Sequence, residues 1–353
     1  MYSDTELESA VTAGIVSAET AAAFRAHVAT YRRAPLADEE QVRLLTGFND
    51  IFVSIAAGLL LGALALLGGG MASDSLALLY GGGLVASASW LLAEYFTRRR
   101  HMALPSILLL LGLVSGLFSA GAGATHLVSP APNGDLGLPA VAMGGLAAAI
   151  GAYAHWRRFM VPITIAAGAV ATLGLAIAGV ASLFPGPRSH DAFLAALFAS
   201  GLLVFALAMR WDMSDPERRT RRTDVAFWLH LAAAPMIVHP AFQWLGVLES
   251  GATALSAVAG LALYAALTIS ALLVDRRALM VSALAYVLAA MTTLFREAGA
   301  ISLSTALTAL ALGSALLLLS AFWHGVRVQL VRLLPLAVSR LLPPGAQRSV
   351  AQA

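Results

Sequence analysis

The sequence predicts an all-α fold, a polytopic transmembrane helical bundle with about ten spans, a small N-terminal helical hairpin and a C-terminal amphipathic helix. Hydrophobic residues make up 59% of the 353 and charged residues only 12%, whereas a soluble chain carries about 25% charge. Apolar segments of about 18 residues or more, each long enough to cross roughly 30 Å of hydrocarbon, recur along the chain. Arginines separate these segments in a regular alternation. Together these observations predict an integral membrane protein.

The N-terminal segment, residues 1–48, is polar and is predicted to be cytosolic and helical. Its first helix begins with a capping box at Ser3–Glu6 and ends at Gly14. Ser17 caps a second helix, whose apolar stripe would pack against the first helix. That stripe consists of Ala21, Phe24, Val28 and Tyr31. We expect residues 1–46 to offer a docking site for a protein partner.

Residues 49–323 are predicted to form the ten-span transmembrane domain. The connections between the spans are short, so they leave no room for a further extramembrane domain. Approximate bounds of the spans are 51–69, 75–95, 103–127, 137–155, 159–183, 191–209, 225–248, 252–274, 278–295 and 302–323.

The arginines predict the orientation of these spans. All 22 basic residues are Arg, and with the N-terminus inside, all except Arg188 and Arg296 fall in cytoplasmic segments. Cytoplasmic loops carry an excess of basic residues, so both termini are predicted to be cytoplasmic. The preference for Arg over Lys, together with abundant Ala and Leu, is typical of a GC-rich bacterial genome. The predicted location is therefore the bacterial inner membrane.

The C-terminal segment, residues 324–353, is predicted to be a cytosolic amphipathic helix and tail. Residues 325–342 carry too much charge to span the bilayer, and their polar and apolar residues separate on a helical wheel. The polar side holds Gln329, Arg332, Ser339 and Arg340. We expect this helix to lie flat on the inner leaflet, where its arginines would contact anionic lipid.

Missing residue types exclude several kinds of active site. The chain has no Lys and no Cys, which excludes lysine phosphate loops, Schiff bases, thiol nucleophiles and thiolate metal sites. It also lacks a nucleophile elbow and a zinc-protease motif. The sequence therefore predicts no enzyme activity of the soluble type and no cofactor. Although the pI is near 9.6, the arginines lie in short loops between spans, and no nucleic-acid partner is predicted.

The stretch FWLHLAAAPMIVHPAFQWL, residues 227–245, is the strongest candidate for a functional site. It places His230, Pro235, His239 and Pro240 inside a predicted span. Interior prolines remove helical hydrogen bonds, so we expect the helix to be interrupted between Leu231 and His239. A broken span with ionisable residues is typical of transporter sites, which makes these four residues a candidate ligand or proton pathway. The alternative is that both histidines only form hydrogen bonds within the bundle. In either case both imidazoles are expected to point inward and to bond to other spans or to water, because burying them without partners is costly.

Weaker candidates lie near the span ends. His126, His190, Asp191, His239 and Glu249 fall toward the outer side, but without metal-ligand spacing, so no metal is predicted. Glu94 is expected to pair with the arginines at 98–100. Glycines at small-residue spacing (Gly58, Gly62 and Gly81–Gly83) indicate close helix packing, and the alternative for the last three is a hinge.

Two N-terminal stretches resemble a bacterial family of predicted multi-pass membrane proteins of unknown function. They are LESAVTAGIVSAETAAAFRAH (7–27) and DEEQVRLLTGFNDIFVSIAAGLLLGALALLG (38–68). Family members share a short cytosolic helical pair followed by a bundle of Ala-, Leu- and Gly-rich spans. The specific likeness covers about the first 70 residues. It implies a membrane topology and a location, and it carries no catalytic residues to this chain.

Two functions of different class remain open from the sequence. Ten spans divide into five plus five, and a duplicated odd-numbered half would be inverted, as in many small-molecule and ion transporters. No residue-level repeat supports this division. The alternative is a non-enzymatic membrane scaffold or regulatory protein whose N-terminal helices bind a partner. The His and Pro residues at 230–240 favour the transporter, and scarce buried charge favours the scaffold.

Overall fold

The computed structural model contains twelve α-helices, with no strand among the residues that it describes. The chain separates into two compact units, Met1–Val42 and Arg43–Ala353. The residues described are 4–31, 48–70, 74–130, 136–184, 188–215, 220–247, 253–297 and 304–335.

The first unit contains α1 (Asp4–Thr12) and α2 (Ala18–Tyr31). Gly14 has a φ of +71°, the left-handed conformation in which glycine commonly ends a helix. The Ser17 hydroxyl accepts a hydrogen bond from the Thr20 backbone N–H at 3.1 Å, which caps α2. Both helix-boundary predictions are confirmed, whereas the predicted cap at Ser3 lies outside the described residues.

Within its described residues, the second unit contains ten helices that are long and apolar enough to cross a membrane. The protein is thus a multi-pass membrane protein with an all-α fold, as the sequence predicts. Except at the end of the tenth, the helix ends agree with the predicted spans to within four residues. The ten helices are α3 (Phe48–Gly70), α4 (Asp74–Phe96), α5 (Ala103–Val128), α6 (Leu138–Phe159), α7 (Ile163–Ser182), α8 (Arg188–Met213), α9 (Arg221–Trp244), α10 (Ala254–Val274), α11 (Ala278–Glu297) and α12 (Ser304–Arg332).

Glycines bring α3, α4 and α5 into close contact. A Cβ atom on Gly82 would lie 2.6 Å from the carbonyl oxygen of Gly116, and one on Gly68 would lie 2.2 Å from the Cα of Gly81. Larger residues at these positions would push the helices apart. Small residues in membrane bundles have the opposite effect, because they let helices approach closely. Close packing is therefore confirmed at Gly81 and Gly82, and α4 continues through them without a hinge. Gly62, by contrast, has open space around it.

The second five helices do not repeat the packing of the first five. α4 packs extensively on its successor α5, whereas the corresponding α9 packs mainly on α7, α8 and α11 and only lightly on α10. This arrangement places α9 in the middle of the bundle. Over half (56%) of its most apolar 18 residues are buried, a larger share than in any other span.

The predicted interruption of span seven is wrong. α9 runs as one helix from Arg221 to Trp244 with both Pro235 and Pro240 inside it. Proline weakens a helix because it removes one backbone hydrogen bond and its ring clashes with the preceding turn. Neighbouring helices can nevertheless hold that turn in helical geometry. Because α9 is enclosed by three other spans, packing overrides the local preference.

The predicted separation of the C-terminal helix is also wrong for the part that the structure describes. α12 continues without a break from Ser304 to Arg332, so residues 325–332 extend span ten. Arg327 points into the bundle, where it is only 2% exposed. Its burial explains why the helix does not turn onto the membrane surface at this point. Residues 336–342 of the predicted helix lie outside the described residues.

Candidate functional site

His230 lies on α9 and faces α8. Its Nε2 atom lies 2.8 Å from Oδ2 of Asp212, and the imidazole is 2% exposed. A carboxylate can only accept a hydrogen bond, so Nε2 carries the proton and donates it. The ring of Phe205, also on α8, packs edge-on against the imidazole at 5.2 Å. The prediction that His230 points inward and bonds to another span is confirmed.

Arg276 provides a second partner for Asp212. It comes from the turn between α10 and α11, and its Nε donates to Oδ2 of Asp212 at 3.2 Å. Its Nη2 donates to Oδ1. The guanidinium thus donates one hydrogen bond to each oxygen of the carboxylate, from its Nε and Nη2 atoms. We call Asp212, His230 and Arg276 the Asp212 cluster. All three residues are at most 3% exposed.

A second buried ion pair adjoins the first in sequence. Oδ1 of Asp275 accepts a hydrogen bond from the indole N–H of Trp323 at 2.9 Å, and Oδ2 lies 3.5 Å from Nη1 of Arg327. Arg327 also donates from Nε to the Leu272 carbonyl at 3.0 Å. We call Asp275, Trp323 and Arg327 the Asp275 cluster. It ties α12 to the end of α10.

Backbone geometry lets the α10–α11 turn serve both clusters. Asp275 has a φ of +61°, a left-handed conformation that Asp tolerates better than most residues. The following Arg276 backbone N–H bonds to the Ala271 carbonyl and closes the helix end. With the chain reversed at this residue, consecutive side chains leave in different directions. Asp275 reaches α12, and Arg276 reaches α8.

Hydrogen bonds also join the end of α8 to the start of α9, three residues beyond Asp212. Oδ2 of Asp215 accepts three hydrogen bonds, from the Thr220 backbone N–H at 2.8 Å, the Thr220 hydroxyl at 2.7 Å and the Thr223 hydroxyl at 3.0 Å. Thr220 in turn caps α9. Asp215 therefore joins the two helices that carry Asp212 and His230 close to the cluster.

The electrostatics of the Asp212 cluster follow from its burial. Isolated charges are costly in a low-dielectric interior, but the Arg276 cation and the Asp212 anion neutralise each other. A neutral His230 leaves the cluster without net charge, and a protonated one gives it a charge of +1. The charge of the cluster therefore depends on the protonation of His230.

His239, the second histidine of α9, is on the other side of the helix. Its Nδ1 lies 2.5 Å from the hydroxyl of Tyr286 on α11, so its predicted inward bond is also confirmed. Nine residues at 3.6 per turn place the two histidines roughly 180° apart, and the structure does not bring them together. Pro235 is exposed between them, whereas Pro240 is buried.

The weaker candidates do not assemble into a metal site. Within the ranges that the structure describes, no three His, Asp or Glu side chains could hold a metal ion, and Glu249 lies outside those ranges. Glu94 pairs with Arg98 at 3.3 Å, as predicted, and also with Arg158 at 2.7 Å. Exposed pairs of this kind are common at the ends of spans.

The sequence interpretation missed the charged partners of His230. Arg276 was predicted to be a cytoplasmic loop charge, and Asp212 was placed just beyond the end of span six. Both lie within a few residues of a span end, on the side of the membrane where His230 enters α9. Their common depth could have indicated the cluster, because an acid, a base and a histidine at one depth in the membrane can meet inside a bundle.

An apolar cleft of about 1060 Å³ lies on a different face of α9. It is lined by residues of α3, α4, α5, α6 and α7 and by three residues of α9. The α9 residues are Trp228, Leu231 and Ala232. Neither His230 nor His239 belongs to its lining.

Comparisons of the chain with protein-family models, with curated proteins and with solved structures found no match.

Proposed function

We propose that the protein is a small-molecule or ion transporter of the bacterial inner membrane and that His230 is its proton-binding residue. The observation that carries the proposal is the Asp212 cluster, in which a buried acid and a buried histidine on two membrane-spanning helices meet a buried arginine from the α10–α11 turn. Ionisable residues inside a membrane are costly to keep, and they commonly mark proton relays and substrate pathways.

The cluster offers a simple way to couple protonation to movement. In the tautomer that donates from Nε2 to Asp212, the incoming proton binds Nδ1 of His230. The resulting imidazolium competes with Arg276 for the same carboxylate, because one negative charge then serves two cations. Weakening the Arg276 contact frees the α10–α11 turn from α8. Protonation thus biases the packing of the second half of the bundle.

The proposed pathway runs along α9 and includes His230, Pro235, His239 and Pro240. The two prolines have no N–H to give to the carbonyls of Leu231 and Met236, which precede them by one helical turn. These carbonyls are hydrogen-bond acceptors between the two histidines. His239 and Tyr286 would form the second proton-carrying station, toward the other end of the helix.

The test measures proton binding directly, since the transported substrate is not identified. The full chain is reconstituted into liposomes on a solid-supported membrane, and the pH is stepped between about 8 and 5, where histidine titrates. We expect a transient current that His230→Gln strongly reduces. The matched control is His101→Asn, which replaces an exposed histidine and should leave the current unchanged. An undiminished current in His230→Gln would refute the role of this residue.

A membrane scaffold is the second candidate function. It is favoured by the first unit, where Ile15 is 78% exposed and Phe24 is 44% exposed on a small helical pair. Exposed apolar side chains of this kind suit a protein partner at residues 1–46. In this case the Asp212 cluster is structural, and His230→Gln lowers thermal stability without changing the current.

The orientation and lipid contacts are also proposals. We propose that both termini are cytoplasmic, on the strength of the arginine distribution. The resemblance of the first 70 residues or so to a bacterial membrane-protein family supports the inner membrane as the location. Anionic lipid is proposed as a partner of the C-terminal segment, where Arg332 and the residues that follow it would provide the positive charge.

A further inference from the structure

The cleft on α9 extends from the first residue of α7, Ile163, to the middle of the neighbouring spans. Its lining includes Gly58 and Leu61 from the middle of α3 and six residues between Gly112 and Ser119 from the middle of α5. It also includes Trp228 from α9. At this depth the surrounding bilayer consists of hydrocarbon chains.

The chemistry of the lining is apolar. No charged residue lines the cleft, and its hydroxyl groups come from Ser115 and Ser119. Ser115 already donates its hydroxyl hydrogen to the Leu111 carbonyl at 2.8 Å. A charged ligand would therefore lose its hydration without gaining a charged partner, whereas an apolar ligand would lose nothing. The volume of about 1060 Å³ is at the upper end of ligand sites, which span roughly 300–1,000 Å³.

The cleft is continuous with the lipid-facing surface of the bundle. Leu111 and Val170, which line it, are 52% and 45% exposed. Small residues keep the space open, and a Cβ atom on Gly174 of α7 would meet no other atom within 4 Å. A chain lying in the surrounding bilayer can thus enter sideways without leaving its apolar environment.

We infer that this cleft binds the hydrocarbon chain of a bilayer phospholipid. A chain held there contacts protein from α3, α5, α7 and α9, whereas a chain at the outer surface contacts protein on one side only. The additional dispersion contacts favour the cleft, because an unfilled apolar space leaves its lining atoms without partners. The site is independent of His230 and of the proposed transport.

The test uses a phospholipid with a photoactivatable diazirine on one acyl chain. The full chain is reconstituted with this lipid in phosphatidylethanolamine and phosphatidylglycerol vesicles, irradiated and mapped by mass spectrometry. We expect labelling of Gly112–Ser119 and of α7 to exceed labelling of Leu317 and Leu318, which are exposed on α12. Equal labelling at both places would show that the cleft holds no chain beyond ordinary surface lipid.

Two substitutions on α7 provide a matched comparison. Gly174→Phe fills the cleft, and we expect labelling there to fall about tenfold, equivalent to about 1.4 kcal/mol of lost binding. Gly179→Phe adds the same side chain at a position that is equally open but outside the lining, and labelling should not change. If Gly174→Phe proves unstable, Val170→Trp tests the same space. Unchanged labelling in a folded cleft-filling variant would overturn the inference.

Two further measurements separate the outcomes. His230→Gln should keep normal labelling, so failure of the proton-binding proposal would not affect this one. The chain has no cysteine, so Gly174→Cys introduces a single thiol. Efficient thiol cross-linking of two chains through this residue would show that a second copy occupies the cleft, which would also overturn the inference.

Discussion

Replacing Asp212 by Asn tests whether the buried cluster is ionised and holds the bundle together. Asn has nearly the same shape as Asp but no charge, so the substitution removes the carboxylate that binds the buried guanidinium of Arg276 directly. Arg276 is 2% exposed and cannot reach water without a change in packing. Removing one partner of a buried ion pair costs about 3–5 kcal/mol, and we expect a loss of that size in the free energy of unfolding.

A second substitution separates the ion pair from its surroundings. Arg276→Gln in the Asp212→Asn background removes both charges, and such neutral replacements of buried pairs are often close to neutral in stability. The double variant should therefore recover most of the loss. With Arg276→Gln also measured alone, the cycle gives the coupling energy of the pair, which we expect to be up to about 3 kcal/mol.

The assay is unfolding of the purified full chain by SDS in mixed micelles, followed by the fluorescence of its six tryptophans. Glu94→Gln serves as the control, since it removes an exposed carboxylate that pairs with Arg158. Surface pairs contribute little, so the control should lose much less stability than Asp212→Asn. If the two variants lose the same amount, Asp212 and Arg276 do not form a buried ion pair, and the proposed proton site loses its basis.

Three other predictions concern α9 and the topology. Pro235→Ala restores an N–H to a continuous helix and should raise the free energy of unfolding by up to about 3 kcal/mol in the same assay; a loss would contradict the uninterrupted helix. His239→Phe removes the bond to Tyr286 and should cost about 0.6–1.7 kcal/mol, as hydrogen bonds between membrane helices do, whereas in a Tyr286→Phe background it should cost clearly less. Reporter fusions should all indicate a cytoplasmic location, and a single periplasmic signal would overturn the orientation; the fusion points are Arg100, Arg158, Arg222 and Arg277.

The membrane-spanning helices could be predicted from the sequence because the hydrocarbon thickness sets their length. Each span must satisfy its backbone groups within one helix, so composition alone locates it. The end of α12 shows the limit of this rule. Arg327 looks like a surface charge in the sequence, but it pairs with Asp275, which also bonds to Trp323. Asp275 lies 48 residues from Trp323 along the chain and farther from Arg327. Such a partner cannot be read from local hydropathy.

The candidate site could be predicted only in part for the same reason. His230 and His239 were expected to point inward because a buried donor without a partner is costly. Their partners Asp212 and Tyr286 lie 18 and 47 residues away, so identifying them requires knowing which helices meet. The interruption predicted from the two prolines was wrong because it considered only the local backbone. Their local cost is real, but three neighbouring helices hold α9 together.

The α10–α11 turn connects the parts of the structure that bear charge. Asp275 contacts α12, Arg276 contacts Asp212 on α8, and the guanidinium of Arg277 lies over the Trp323 ring at 4.9 Å. Three consecutive side chains thus join this turn to two other spans, and Asp212 extends the connection to His230 on α9. In the proposed mechanism, a change of charge at His230 would act first on Arg276 and then, through the shared backbone, on the contacts of Asp275 and Arg277 with α12. The glycine contacts among α3, α4 and α5 depend on shape and are insensitive to charge, so we expect protonation to move the α8–α12 half against a fixed first half.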